Sequence, residues 1–263
     1  MTVIKGKNVV IKEGTIIGDN VVIEDDVYID YNCIIRDNVT IKKGTTIGAQ
    51  CILGEFQMDF YNNRDEHIPH PLIIGESSII RSGTIIYGDT TIGDYFQTGH
   101  RATIREHTKI GNHVNVGTLS DIQGYCDIGN YVKMHSNVHI GQKSVIEDFV
   151  WIFPYVVLTN DPTPPSGELV GVTVKSFSII ATGSIVMPGL TIEGDSLVAA
   201  GAVVTKNVNK EEVVAGVPGK PISNICNIKN HVTGEPAYPW RYHFDRGMPW
   251  ENSDYDTWEK TQK

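Results

Sequence analysis

Every sixth residue of this chain is aliphatic. The anchors run from Ile11, Ile17 and Ile23 to Leu53, resume from Ile74 to Leu158, and resume again from Val174 to Val204, with Thr98 a polar exception. The phase holds over fifteen consecutive units in the middle run. A period of six matches neither the α-helix nor the ordinary half-buried strand. Gly often follows the anchor, as at Gly18, Gly48, Gly75, Gly93, Gly111 and Gly129, and a small or β-branched residue often stands four after it, as at Thr15, Val21, Cys33, Thr84 and Ser120. Each hexamer therefore reads as one short strand and one turn. Anchor and small residue face inward, and Gly, Asn or Asp take the turn dihedrals. Three hexamers close one triangular coil, so residues 18 apart are stacked roughly 4.8 Å from one another. The expected fold is all-β, a parallel β-helix in which each buried anchor contributes roughly 1.5–3 kcal/mol.

The breaks in the rhythm define the organisation. With Ile74 on face A, Ile80 on face B and Ile86 on face C, residues 54–73 and 159–173 are insertions that both leave at the corner between C and A. They are five coils apart, about 24 Å. The first carries Phe56, Met58, Phe60, Tyr61, His67 and His70; the second contains N-D-P-T-P-P-S-G. Loops overhanging one edge of a rigid solenoid are the natural place for a site. The predicted β-helix covers residues 1–208. Residues 209–263 form a C-terminal extension of helix and loop that packs over the prism and covers an open sheet edge. Three of the four Trp fall in its last 24 residues.

Composition sets limits on function. A net charge of −9 argues against a nucleic-acid partner. Cys33, Cys51, Cys126 and Cys226 contain no CxxC pair, so neither zinc nor a redox motif nor a disulfide framework is expected. No stretch approaches membrane-spanning length, and residues 1–12 lack the apolar core of a signal peptide, so a cytoplasmic protein is expected.

Residues 18 apart that carry chemistry stand out. Asp121 and His139 each precede a face C anchor, so both should point outward as neighbours. A carboxylate there can orient the imidazole, and the plainer reading is a surface pair at a subunit contact. Asp94 stands two after anchor Ile92, in a corner column with Glu76, Asn112, Asn130 and Asp148, a place that Asp and Asn favour for turn reasons alone. Asn160 shares a column with Gly124 and Gln142 at the second loop, as a polar donor or an Asx turn before Pro162. His100, His135 and His139 stand 35 and 4 residues apart, off the 18-residue register, which argues against a zinc site of the γ-class carbonic anhydrase kind.

The hexapeptides, with I-R-S-G-T-I-I-Y-G-D (80–89), V-G-T-L-S-D-I (116–122), L-T-N-D-P (158–162), V-A-G-V-P-G-K-P (214–221) and M-P-W-E (248–251), resemble those of the left-handed β-helix acyltransferases. Within that group the chain is most similar to the nucleotide-sugar N-acyltransferases, and nearest to those acting on dTDP-4-amino-4,6-dideoxyglucose in anthrose synthesis. The resemblance implies a left hand, a homotrimer with active sites between subunits, acyl-CoA (3-hydroxybutyryl or acetyl) as co-substrate without a metal, and a dTDP-amino sugar as acceptor. The relatives acetylating dTDP-3-amino-3,6-dideoxyhexoses are the alternative acceptor class. A serine or antibiotic acetyltransferase and a non-catalytic scaffold are the more distant ones.

Such a reaction needs a neutral amine, a place for its proton and donors for an oxyanion. Relatives with H-D-C-x-I-G use its His as base; here G-Y-C-D-I-G (124–129) places Gly124 at that position. Three replacements stay open: Asp94 as ligand of the sugar amine, His139 oriented by Asp121, or the leaving thiolate itself. The resemblance adds Thr84 where relatives carry Ser, and Asn160 as an oxyanion donor. For CoA, Ala181, Gly183, Ala199 and Gly201 are expected to let pantetheine approach backbone amides, with Lys206 and Lys220 pairing its phosphates.

Overall fold

A computed structural model describes residues 3–262; Met1, Thr2 and Lys263, the outer ends of the two expected segments, lie outside the described residues. The chain winds into three parallel sheets. Face A has ten strands, from Val3–Lys5 to Thr191–Ile192, and face C ten, from Ile16–Ile17 to Val203–Val204. Face B has twelve, from Val10–Ile11 to Lys220–Asn224. Strand neighbours are 18 residues apart wherever no loop intervenes, as in Asp121 beside His139 and Asn115 beside Lys133. This is the expected all-β parallel β-helix, consistent with a left hand.

The anchors form one continuous core. From Ile23 onward every anchor is buried, while Ile11 and Ile17 of the first coil are only partly covered, because no coil lies beneath them. The polar exception is satisfied: Thr98 Oγ1 accepts from the Arg81 N–H at 2.9 Å and lies 3.2 Å from Thr84 Oγ1.

Corners explain the turn residues. A run of corner positions takes positive φ, including Asn20, Asn38, Asp89, Tyr95, His113 and Tyr131. Asn and Asp adopt this region most readily. The aromatics there are offset by stacking: Tyr95, His113, Tyr131, Phe149 and Phe177 form a ladder up the A/B corner with centroids 4.6, 4.5, 5.1 and 4.9 Å apart.

Both insertions leave at the C/A corner. The first is shorter than expected at its far end, because Leu72 and Ile73 already pair with Val39 and Thr40. The tail begins by extending face B: Val213 and Val214 pair with Leu197 and Val198, and Lys220–Asn224 returns antiparallel as the new edge. It then folds back, laying Trp240, Met248, Trp250 and Tyr255 against Phe149, Trp151, Ile179 and Leu197. Arg241 fixes it, pairing with Asp195 and lying 4.6 Å over the Phe177 ring. Asp254 caps the final helix, Tyr255–Thr261, accepting from the Thr257 N–H at 2.8 Å. No helix among the described residues is long and apolar enough to cross a membrane.

Candidate active site

The strongest cluster of chemistry-bearing side chains lies on face C, toward the C/A corner and between the two loops. Asp121 and His139 are strand neighbours, so their side chains leave the sheet on the same side. His139 Nδ1 stands 3.3 Å from Asp121 Oδ2, with both side chains about one-third exposed (39% and 35%). Gln123 Nε2 donates to the same carboxylate oxygen. Burial pulls the Asp121 carboxyl up, but the hydrogen bonds from His139 and Gln123 and the charges of His139 and Arg105 outweigh it and hold the group below its ordinary range. With Nδ1–H given to Asp121, the imidazole lone pair sits on Nε2, which has no partner among the described residues.

Below this pair, Arg105 stacks 5.5 Å from the Tyr87 ring and bonds to the buried Glu106 carboxylate at 2.7 Å. Above it, Val157 and Leu158 run beside His139 and Ile140, and Asn160 lies over Gly141. A Cβ on Gly141 would come within 3.0 Å of Asn160 Cβ, so the glycine makes room for that side chain. The Asx turn of the loop is made by Asp161, which accepts from Thr163 and Ser166. The Asn160 carboxamide makes no protein hydrogen bond among the described residues and is available as a donor.

Gly124 has φ +94°, and a Cβ there would lie 2.7 Å from the Glu106 carbonyl oxygen. That backbone cannot carry a histidine without moving. The absence of the relatives' base is thus built into the local conformation.

The remaining sequence candidates lie elsewhere. Thr84 corrects its expectation: it is fully buried, its Oγ1 donating to the Arg81 carbonyl at 2.7 Å, with no face open to a substrate. Asp94 stands on the A/B corner, where Oδ1 accepts from the Glu76 N–H at 2.8 Å, and its own N–H donates to Asn112 in turn. Within one chain it does not meet His139. Ala181, Gly183, Ala199 and Gly201 form the late B/C corner, and Gly183 and Gly201 have open space around them. Their amides correct the expectation of free N–H groups: they donate to the carbonyls of Val198, Pro154, Val214 and Thr182. Lys220 pairs with Ala215 at the head of that same corner, whereas Lys206, two residues after the face C anchor Val204, stands at the C/A corner. His100, His135 and His139 do not converge, and no group of three or more His, Cys, Asp or Glu among the described residues is arranged to hold a metal ion.

Sequence reasoning missed Arg105, Glu106 and Gln123, which follow face C anchors directly and carry no spacing signal of their own. It also missed the first loop's internal cluster. There Asp59 Oδ2 stands 3.1 Å from His67 Nδ1 and 3.0 Å from His70 Nε2, and His67 is enclosed by Phe56 and Phe60. Asp89 and His107 make a further pair on the C/A corner itself.

Residues 20–55 match the family described as bacterial transferase hexapeptide (six repeats). The comparison with curated proteins returned no match. Among solved structures, the UDP-N-acetylglucosamine O-acyltransferase of Moraxella catarrhalis RH4 is similar at a TM-score of 0.51 and 19% identity, over 85% of this chain and 73% of that one. A serine acetyltransferase of Neisseria gonorrhoeae matches at a TM-score of 0.38 and 19% identity, over 42% of each chain. The acetyltransferase domain of PglB from Neisseria gonorrhoeae FA1090, solved with acetyl coenzyme A, matches at 0.36 and 19%, over 53% of this chain and 58% of that one. The chain spans less than two thirds of the last two. The first likeness shows a shared fold.

Proposed function

We propose that the chain transfers an acyl group from acyl-CoA to the amine of a nucleotide-linked amino sugar, with His139 as general base and Asp121 as its orienting partner. The observation carrying this is the Asp121–His139 contact at 3.3 Å, outward on face C, with Nε2 unengaged. The amine attacks the thioester carbonyl, and Nε2 takes the proton the nitrogen must lose. Asn160 donates to the oxyanion. As the carbon–sulfur bond breaks, the imidazolium returns the proton to the thiolate, leaving an amide and free CoA. Asp121 stabilises the imidazolium without taking its proton.

The fold shared with an acyltransferase named for a nucleotide sugar supports this reading, as do the chain's own V-A-G-V-P-G-K-P and M-P-W-E segments. The acceptor is assigned as dTDP-4-amino-4,6-dideoxyglucose, with dTDP-3-amino-3,6-dideoxyhexose as the second acceptor class, and the donor as 3-hydroxybutyryl- or acetyl-CoA. A homotrimer accounts for two further facts. The outward column of face C is otherwise aliphatic, with Ile34, Ile52 and Ile85 below the pair and Val157, Ile185 and Val203 above it. Packed against another copy, it would place the pair at a subunit contact and bring a second chain's corner, such as the one bearing Asp94 as amine ligand, toward it.

The test is thiol release from each acyl-CoA with each dTDP-amino sugar. Release with one combination is expected. No release with any, together with no CoA binding, would overturn the enzyme reading and leave a scaffold.

A further inference from the structure

The tail and face B enclose a cleft of about 250 Å³ whose lining is almost wholly aromatic. Trp151 and Phe153 make its floor, their rings 26° from parallel, and His135 stacks on Phe153 at 4.7 Å. Trp240 and Phe244 of the tail stand on that floor, 78° and 87° from the Trp151 plane at 5.9 and 5.5 Å. A floor with perpendicular walls selects a flat ligand, which stacks on one ring and meets the others edge to face. A hydrocarbon chain gains nothing from those angles.

Two polar groups narrow the class. The Trp151 indole N–H is buried without a partner, and an acceptor on the rim of a heteroaromatic ring relieves it where a hydrocarbon cannot. The Arg246 guanidinium lies 5.9 Å from the Phe244 ring, and no carboxylate among the described residues pairs with it. It is placed to meet a phosphate. The cleft also adjoins the small-residue corner: the column above Phe153 is Ala181 and then Ala199, since Ile152, Ile180 and Val198 are strand neighbours.

We infer that this cleft holds the nucleobase of a phosphate-bearing substrate. The inference rests on the acyltransferase reading, which supplies two sources of that chemistry: the adenine of acyl-CoA and the pyrimidine of the nucleotide sugar. Ala237 also lines the cleft. Ala237→Trp would fill it, and Phe153→Ala would remove part of its floor without adding bulk.

Wild type and both variants are titrated with adenosine 3′,5′-bisphosphate and with thymidine 5′-diphosphate, following tryptophan fluorescence, and assayed for thiol release. One nucleotide is expected to bind about tenfold more weakly in both variants, the loss of one stacked base. The KM of the substrate carrying that base should rise with kcat kept. A shift in the adenine arm assigns the cleft to the donor, and a shift in the thymine arm assigns it to the acceptor. Unchanged affinity for both nucleotides in both variants, with wild-type turnover intact, would overturn the inference while leaving the acyltransferase standing. Absence of turnover and of CoA binding in wild type would overturn the acyltransferase reading, and this inference with it.

Discussion

Two aspartate–histidine arrangements lie along one edge of the β-helix, and they are built in opposite ways. Asp121 and His139 project from adjacent strands, and their spacing is set by the sheet. Asp59, His67 and His70 sit on the first insertion, and their spacing is set by one another and by local packing. Phe56 stacks on Phe60 at 3.9 Å, Arg36 lies 4.2 Å over Phe56, and Gln57 reaches the Gly88 carbonyl at 3.2 Å. In the strand pair the carboxylate leaves Nε2 open to a substrate. In the loop the carboxylate is shared between two rings, and His67 Nε2 is buried without a partner. The strand pair is arranged for proton transfer and the loop cluster for holding a loop in shape.

The largest effect should separate them directly. His139→Ala is expected to lower kcat by about 10²–10⁴-fold, the usual worth of a positioned general base, with KM little changed. His67→Ala should leave kcat within a few-fold and act on KM or on protease sensitivity of residues 54–73. Equal losses of kcat in the two variants would break the comparison. Such equality would mean that the first loop reaches the reacting atoms.

The same contrast explains what was legible in the sequence. Asp121 and His139 could be paired because 18 residues is one coil, and strand spacing turns that count into a distance. The loops' exit corner was legible for the same reason. Nothing comparable governs residues 54–73, where His67 and His70 could be noticed but not joined to Asp59. Arg105, Glu106 and Gln123 stand at a corner where side-chain direction depends on local turn dihedrals, which the repeat does not specify. Thr84 shows the converse. Its motif suggested chemistry, while its position four after an anchor, read by the repeat alone, points inward, and the structure places it there. The aromatic ladder had a signal that went unread, since Tyr95, His113, Tyr131 and Phe149 stand 18 apart.

A second contrast concerns how strictly coil and loop positions are held. Gly124→Ala puts a side chain at φ +94° with its Cβ 2.7 Å from a backbone oxygen, and should cost about 1–3 kcal/mol. Gly124→His, meant to restore the relatives' base, should lose stability similarly and gain no activity. Gly167→Ala in the second loop meets nothing within 4 Å and should fall within about 0.5 kcal/mol of wild type. Thermal denaturation of the three variants measures this. A neutral Gly124→Ala would mean the corner can relax, and would weaken the claim that coil geometry fixes the site.

The smallest effect is electrostatic and carries a sign. Burial raises the Asp121 carboxyl and its contacts with His139 and Gln123 more than reverse this; Asp59 is likewise held low, burial opposed by hydrogen bonds from His70, the Phe60 N–H and His67. A carboxylate depressed in the folded state contributes stability that is present above its unfolded pKa, about 4, and is lost as pH falls through the lower folded value. Asp121→Asn and Asp59→Asn should therefore each be less stable than wild type near neutrality, with the gap closing as pH falls below about 4. Both carboxylates are substantially exposed (35% and 46% of the side chain), so solvent screening limits each gap to a few tenths of a kcal/mol. The strand pair and the loop cluster should then differ not in the size of this term but in what it accompanies. Asp121→Asn should lower kcat, because the imidazole loses the group that fixes its Nδ1–H and stabilises its charged form. Asp59→Asn should leave kcat in place and loosen the loop. If Asp59→Asn depressed kcat while Asp121→Asn did not, the assignment of base and orienting carboxylate would move from face C to the insertion.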